Sequence, residues 1–440
     1  MRFLIKQNGL GTERIGHLTG FIKSPTTVIE TPTAALFTQA GSIVNLTAEV
    51  LAKVFSTPQL LWVPLSNSMH LENGLKAQDE GVAKFAGLSE HFTCVTLHSV
   101  SEPTPHGHCE QDKIPLWTKN GKKLITADRY MDLMELYKPD MYVTIADGHT
   151  SLKEARKRIG KSIERSHKTI NRCVERHKSS KVLNNSSLIG VIVGAGIDKQ
   201  CYEFIDKLLT HKEDLCGVTL QGLTDGSDDS FTVTVEYLDS IFKNIGEVLP
   251  NNFLRIIEGC WSPTVILAAI DRGWDLFDGS YPVKLSKAGY ALKFNFDIAT
   301  CDETPYFLNL NDSKYKEDFN PILASCECLA CVKHTRAYVC HLLNTREMLA
   351  NVLLSIHNLY HFDQFFHHAR RHIAEKTFKA FKQHITEQCD AYKLIIPIPK
   401  EKPVAPVEVA TLKSKKKQRI EKVEVSNSNS VEVAMSMSNT

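Results

Sequence analysis

Eight short apolar runs, several of them spaced by amphipathic stretches, limit this chain to a small set of folds. They read TTVIETP, LLWVPLS, CVTLHSV, MYVTIADG, LIGVIVGAG, GVTLQGL, FLRIIEG and LFDGSYP. Strands that alternate with helices pair in parallel and are buried on both faces, which is why their sequences read as continuous apolar runs. Eight such strands fit a closed (β/α)8 barrel better than an open sheet, and about 250 residues is usual for that core.

The stretches between the runs carry helix signals. In TADRYMDLMELYKPD, Thr126 is placed to cap a helix whose buried face is Tyr130, Leu133, Met134 and Tyr137, with Pro139 ending it. Asp198 is placed to cap a helix burying Tyr202, Ile205, Leu208 and Leu209, and Leu238, Ile241, Phe242 and Ile245 form a third stripe. Ser262 followed by Pro263 reads as an N-cap with proline at the first helical position.

In a barrel of this kind the functional groups sit at the C-terminal ends of the strands. The residues that follow the apolar runs are Asp147, Gly194 to Gly196, Gln221 with Gly222, Gly259, and Asp278. Glycines there serve tight strand-to-helix turns, and an aspartate after a strand is also a common helix cap. Asp147 and Asp278 are therefore the candidates with chemistry to offer.

A second signal lies further along. Cys326, Cys328 and Cys331 fall within one short turn. Thiolates at that spacing can reach a single zinc ion, whose bonds to sulfur are about 2.3 Å long. His334, Cys340, His341 and His357 follow as candidates for the fourth position. Tyr338, Leu342, Leu349, Leu353 and Ile356 recur at helical intervals, so one helix is expected over 335–360. His357, near its far end, is placed to fold back onto the cysteines. Three thiolates and an imidazole saturate a tetrahedral zinc and leave no position for water, so such an ion is structural. PTPHGHCEQD, with His106, His108 and Cys109, is a weaker grouping in a loop.

Composition narrows the class. The chain has 440 residues, 42% of them hydrophobic, with a formal charge of +2, so any nucleic-acid contact must be local. The opening MRFLIKQNGLGTERIG is too polar for a secretory signal, and no run approaches the roughly 18 apolar residues of a membrane span. Twelve cysteines are then expected to be reduced thiols in a cytoplasmic setting. After residue 392 the sequence loses all periodicity and carries one basic cluster, Lys413 to Arg419, as a disordered tail would. The expected organisation is a barrel core over 1–320, a zinc subdomain over 321–360, a closing basic helix over 361–392 and a tail over 393–440.

Cys-x-Cys-x-x-Cys followed by His357 and HNL resembles the zinc subdomain of the tRNA-guanine transglycosylases. ERIGHL, ETPTAALF, GSIVNLT, GWDLFD and RAYVCHL match the same family, and the resemblance covers most of the first 390 residues. It implies a (β/α)8 barrel and the ligand set Cys326, Cys328, Cys331 and His357 for one structural zinc ion. Active members exchange the wobble guanine of tRNAs with GUN anticodons (Asp, Asn, His, Tyr) through an aspartate that attacks the ribose. In eukaryotes the incoming base is queuine, and the enzyme is a heterodimer of a catalytic and a non-catalytic barrel.

The nucleophile position falls on Asp278, and Asp147 matches a base-recognition aspartate. The rest departs from the active pattern. Where active members carry Asp-Ser-Gly-Gly-Phe-Gln, this chain has LHSVSEPTPHGH from Leu97 to His108, without an aspartate. A Gln-Gly-Gly stretch becomes Val193-Gly194-Ala195, Gly-Gly-Leu becomes Gln221-Gly222-Leu223, and Gly-Val-Gly becomes Gly259-Cys260-Trp261. Two arginines become Lys284 and Lys287, which keep charge but lose bidentate phosphate geometry. A missing acid–base group alone costs about 10²- to 10⁴-fold in rate. The expectation is an accessory subunit with no catalytic residue of its own, Asp278 being vestigial and Asp147 a remnant of the base pocket. Its expected partners are the catalytic subunit of the queuine-inserting heterodimer, docked through the zinc subdomain, and tRNA, helped by the basic stretch His367 to His384. The resemblance also implies peripheral association with the mitochondrial outer membrane. The alternatives are a self-sufficient transglycosylase acting through Asp278 on a different base, and a zinc-dependent RNA-binding protein.

Overall fold

Thr33–Gln39 (β1), Leu60–Pro64 (β2), Phe92–Thr96 (β3), Met141–Val143 (β4), Ser187–Ile192 (β5), Gly217–Leu220 (β6), Leu254–Ile257 (β7) and Leu276–Asp278 (β8) run parallel, each bonded to the next. β8 pairs back onto β1 through Leu276–Thr33, Phe277–Ala34 and Asp278–Ala35, so the barrel is closed. The computed structural model describes residues 1–105, 108–148, 156–194, 199–224, 234–300 and 304–394.

The register decides which side chains point inward. Residues paired across neighbouring strands face the same side, and alternate residues along a strand face opposite sides. Starting from Asp278–Ala35, the pairs run through Phe37–Trp62, Trp62–Cys94, Pro64–Thr96 and Cys94–Met141. They continue through Val143–Ile189, Val191–Thr219, Thr219–Ile256 and Ile256–Leu276, and Leu276 shares a side with Asp278. Phe277, between Leu276 and Asp278, packs 5.7 Å from Phe366 of an outer helix. That neighbour is outward, so Asp278 is inward. By the same alternation Trp62, Thr96, Thr219 and the residues just past β6 and β7, Gln221 and Glu258, face the barrel axis.

One of the eight runs is displaced. TTVIETP supplies only Ile29–Thr31, which joins Arg2–Asn8 and Arg14–Thr19 in an antiparallel sheet outside the barrel. The barrel strand starts after Pro32, whose missing N–H interrupts the run. Arg14 ties that sheet to the barrel, its Nε and Nη2 lying 2.9 and 2.6 Å from the two carboxylate oxygens of buried Asp275.

The helices follow their sequence signals with some shifts. Thr126 caps Ala127–Tyr137 by accepting the Arg129 N–H at 3.2 Å, and Tyr130, Leu133, Met134 and Tyr137 are all buried. Helix Val235–Val248 buries Leu238, Ile241, Phe242 and Ile245. Pro263 opens Pro263–Asp271, but the Ser262 hydroxyl pairs with Thr264 instead of capping. Lys199–Leu209 buries Cys201, Phe204, Ile205 and Leu208, so Ile205 and Leu208 are as expected while Tyr202 and Leu209 sit at the edge. Asp198 lies outside the described residues.

The helix expected over 335–360 is two helices, Arg336–Thr345 and Met348–Ala374, because Arg346 adopts φ +58°. Tyr338 and Leu349 are exposed, while Leu342, Leu353 and Ile356 are buried. The second helix runs on through Tyr360 to Ala374. A further break at Lys376 (φ +62°) separates it from Phe378–Ala391, so His367 to His384 is not one continuous basic helix. No described helix is long and apolar enough to cross a membrane.

Candidate metal centre and barrel mouth

Four donors converge beside the barrel. Cys326, Cys328, Cys331 and His357 are buried, with their ligand atoms all within 4.8 Å of one another. The Nδ1 atom of His357 lies 3.7, 3.6 and 3.2 Å from the Cys326, Cys328 and Cys331 sulfurs. A tetrahedral ion with ordinary Zn–S and Zn–N bonds sets such a nitrogen and sulfur about 3.5 Å apart, so the spacing fits one ion.

The surroundings orient the ligands. Nε2 of His357 lies 2.7 Å from the Leu292 carbonyl and must donate to it, which leaves Nδ1 as a lone pair facing the thiols. Cys328 caps Leu329–Lys333, its sulfur accepting the Cys331 N–H at 3.4 Å. Hydrogen bonds from the Cys326 and Cys331 thiols, then from backbone N–H groups, bring the Cys328 thiol well below its ordinary range. The Cys326 and Cys328 thiols, and burial after them, push the Cys331 thiol up. A bound cation removes that conflict by holding all three as thiolates. The remaining candidates are elsewhere: Cys340 contacts the Asp312 carbonyl, His334 stacks on Tyr338 at 5.3 Å, and His341 is exposed.

Asn358, the middle residue of HNL, had no role assigned from sequence. Its Oδ1 accepts the Leu292 N–H at 2.8 Å, while Nδ2 donates to the Ser286 hydroxyl at 2.9 Å and the Tyr290 carbonyl at 2.8 Å. It fixes the strand Tyr290–Leu292, and with it the carbonyl that orients His357.

The barrel mouth holds Asp278, the last residue of β8, where it is almost wholly buried. Oδ1 accepts the Ser280 N–H at 2.8 Å, while Oδ2 has no partner. Burial pushes this carboxyl up to about 7. Sequence reasoning passed over Glu258, which also follows an apolar strand and faces the axis. It accepts from Gln221 Nε2 at 2.8 Å and from Thr219 Oγ1 at 3.1 Å. Burial, aided by the charge of Asp278, raises it to about 7 against those hydrogen bonds. The signal that points to Asp278, an acid closing an apolar strand, was equally present in RIIEG.

Asp147 is placed beyond β4 and is already engaged. Arg165 reaches its Oδ2 through Nε at 3.0 Å and through a shorter contact from Nη2. The Ser162 hydroxyl donates to the Asp147 carbonyl and the Ser166 hydroxyl accepts its N–H. Burial first, then the Asp147 charge, lift the Cys109 thiol to about 12. Cys109 and His108 join no metal cluster among the described residues, and His106 lies outside them. Gln221 closes in from the other side, for a Cβ on Gly148 would sit 2.1 Å from its Oε1. Gly259 (φ +149°) admits Trp261, whose indole N–H donates to the Glu258 carbonyl at 3.2 Å. A Cβ at Gly259 would come within 2.3 Å of that indole. Gly194 follows β5, but Ala195 and Gly196 lie outside the described residues.

A closed parallel barrel with a three-thiolate, one-imidazole cluster beside it is the setting for the comparison with known proteins. The sequence model of the queuine tRNA-ribosyltransferase family matches residues 11–391. The chain belongs to the queuine tRNA-ribosyltransferase family. A relative in Aedes aegypti is 34% identical over 392 residues, covering 89% of this chain and 93% of its own. One in Drosophila melanogaster is 32% identical over 397 residues (88% and 93%), and one in Homo sapiens 30% over 408 residues (85% and 97%). All three relatives are named queuine tRNA-ribosyltransferase accessory subunit 2. For this family member, the centre built from Cys326, Cys328, Cys331 and His357 has the donors to hold a metal ion, and Asp147, beyond the mouth strand β4, is bound by Arg165.

Proposed function

We propose that this chain is the non-catalytic partner of a catalytic barrel of its own family, in a heterodimer that replaces the wobble guanine of GUN-anticodon tRNAs with queuine. The observation that carries this reading is the occupied mouth. The acid expected to read the base is held by Arg165, and Gln221 lies against the adjacent Gly148. Relatives named as accessory subunits support it.

The metal is zinc in this reading, because three thiolates and one imidazole suit that ion and leave it no open position. Its part is to hold the Cys326–Cys331 turn onto the long helix. The catalytic subunit docks on this side of the molecule, where Met348 is 81% exposed, Phe319 75% and Val332 61%. Apolar side chains so exposed around a rigid centre suit a protein interface. Phosphate contacts from His367 to His384 rest on Arg371, Lys376 and Lys379, which are exposed. Lys382 is paired with Asp271 at 2.8 Å, and Arg370 donates to the Pro32 carbonyl. The complex works in the cytoplasm, peripheral to the mitochondrial outer membrane, which cell fractionation checks.

A self-sufficient enzyme is the second reading, favoured by the unpartnered Oδ2 of Asp278. Guanine exchange into a cognate tRNA separates the two, using this chain alone, the catalytic subunit alone and the mixture. Activity in the mixture only, unchanged by Asp278→Ala in this chain, is the expected outcome. Exchange by this chain alone, abolished by Asp278→Ala, would make it the enzyme.

A further inference from the structure

The rim of the barrel mouth carries positive charge that neither Asp278 nor the metal centre uses. Between β3 and the helix Ala127–Tyr137 the chain forms an antiparallel ribbon, Ile114–Thr118 paired with Gly121–Ile125. It is anchored at the mouth. It packs on the short helix Leu65–Ser68, which follows β2, and Nε2 of His98, just past β3, donates to the Pro115 carbonyl at 3.1 Å. The ribbon has no acid, and its three lysines, Lys119, Lys122 and Lys123, are exposed and form no ion pair with any described residue. Lys122 stands opposite Trp117 and Lys123 opposite Leu116, so the two leave opposite faces of the ribbon, with Lys119 in the turn. Gly121 (φ +95°) closes that turn, and the Thr118 hydroxyl braces it by donating to the Gly121 carbonyl at 2.9 Å.

The neighbouring side of the rim is built the same way. β4 lies beside β3, and the helix that follows β4, Arg156–Ser179, meets the mouth with its N-terminal end. It carries four cations between positions 156 and 161 and no acid before Glu164. Lys157 and Lys161, one turn apart, are exposed without an ion pair among the described residues, and like charges at that spacing repel. From Arg165 onward every lysine and arginine of this helix has an acidic partner, such as Asp128 for Arg172 and Asp214 for Lys178. The repulsion is left uncompensated at the mouth end, where an incoming anion would relieve it.

We propose that this rim binds RNA through its phosphates, on elements other than those bearing Arg371, Lys376 and Lys379. Five unpaired ammonium groups spread over a ribbon and a helix suit the spaced phosphates of a nucleic-acid backbone, which position a partner without reading its sequence. A lipid surface is the poorer match. The ribbon buries Ile114, Leu116 and Ile125, and its tip, Thr118 to Gly121, has no apolar side chain to insert. The choice of RNA rests on the tRNA reading above, while the charge pattern stands without it.

Fluorescence-anisotropy titration of a GUN-anticodon tRNA transcript with the full-length, metal-loaded chain tests this, beside guanine exchange by its mixture with the catalytic subunit. Lys119→Ala, Lys122→Ala and Lys123→Ala together are expected to weaken binding about tenfold or more and to lower the slope of log affinity against log salt by about 2 to 3, as three lost phosphate contacts do. Arginine at the same three positions keeps the affinity, and Lys157→Ala with Lys161→Ala weakens it severalfold. In the mixture the alanine triple raises KM for tRNA and leaves kcat unchanged. Wild-type affinity and slope in the alanine triple, or no tRNA binding by the wild type, overturn the assignment; exchange by the mixture at an unchanged KM then leaves the heterodimer reading standing. A mixture that fails to exchange, with tRNA binding still lost in the alanine triple, breaks that reading and keeps this one. Phosphatidylserine vesicles form the second arm. If the alanine triple loses them while tRNA binding persists, the rim is a membrane surface and the assignment falls.

Discussion

The metal centre and the barrel mouth are both built from acidic groups taken out of water, but only one of them is complete. At the centre every donor has a use: three sulfurs face one imidazole nitrogen, and the other nitrogen is tied to a backbone carbonyl. At the mouth, Asp278 keeps an unpartnered oxygen, Glu258 leans on Gln221, and Asp147 is taken up by Arg165. A set of groups under demand for convergence stays convergent. At the mouth, Gln221 and Arg165 engage Glu258 and Asp147, while Oδ2 of Asp278 stays unpaired.

The sharpest way to break this contrast is Cys328→Ala. Structural zinc sites contribute about 10–16 kcal/mol in isolated fingers, and that binding energy is folding energy. The variant is expected to lose its metal and to expose the amides of Leu329–Lys333 and the first half of Met348–Ala374 to hydrogen exchange. Metal analysis beside exchange mass spectrometry reads both, and a metal-free variant with wild-type protection would mean the ion is dispensable. Asn358→Ala tests the support behind the ligands. Three buried hydrogen bonds at about 1 kcal/mol each are lost, and a disturbed outer partner typically lowers metal affinity about 10- to 100-fold. Competition with a chelator measures this. Unchanged affinity would show that Leu292 holds His357 without help.

At the mouth the expected effect has the opposite sign. Burial lifts Asp278 to about 7, so the folded chain holds that proton more tightly than the unfolded one does. Stability then falls as pH rises from about 4 to about 7 and stays low above it. Asp278→Asn cannot ionise, and is expected to melt higher than the wild type at pH 8, by on the order of 1 kcal/mol, with the difference shrinking towards pH 4. Melting curves at both pH values decide it. A variant less stable at pH 8 would mean the ionised carboxylate is held by something useful.

The two regions also differ in how far the sequence foretold them. Spacing alone put three thiols on one turn, and alternation of apolar runs with amphipathic stretches was enough for the (β/α)8 barrel, because both follow from local periodicity. One run was misplaced, since TTVIETP carries only Val28 and Ile29 as apolar strand formers beside threonines, and Pro32 separates it from the true barrel strand. Helix breaks at Arg346 and Lys376 were hidden for a related reason: neither residue is the glycine that usually marks a left-handed turn.

The sequence by itself determined the barrel, the cysteine turn and the acids that close strands at Asp278 and Glu258, as these are properties of neighbouring residues. Spacing left four downstream candidates and only the family resemblance singled out His357; tertiary structure brought its Nδ1 onto the thiols, gave Asn358 its task and turned Asp147 towards Arg165. Each of these joins residues between 18 and 72 positions apart, and a contact across such a distance is set by how the chain packs, which no local pattern encodes.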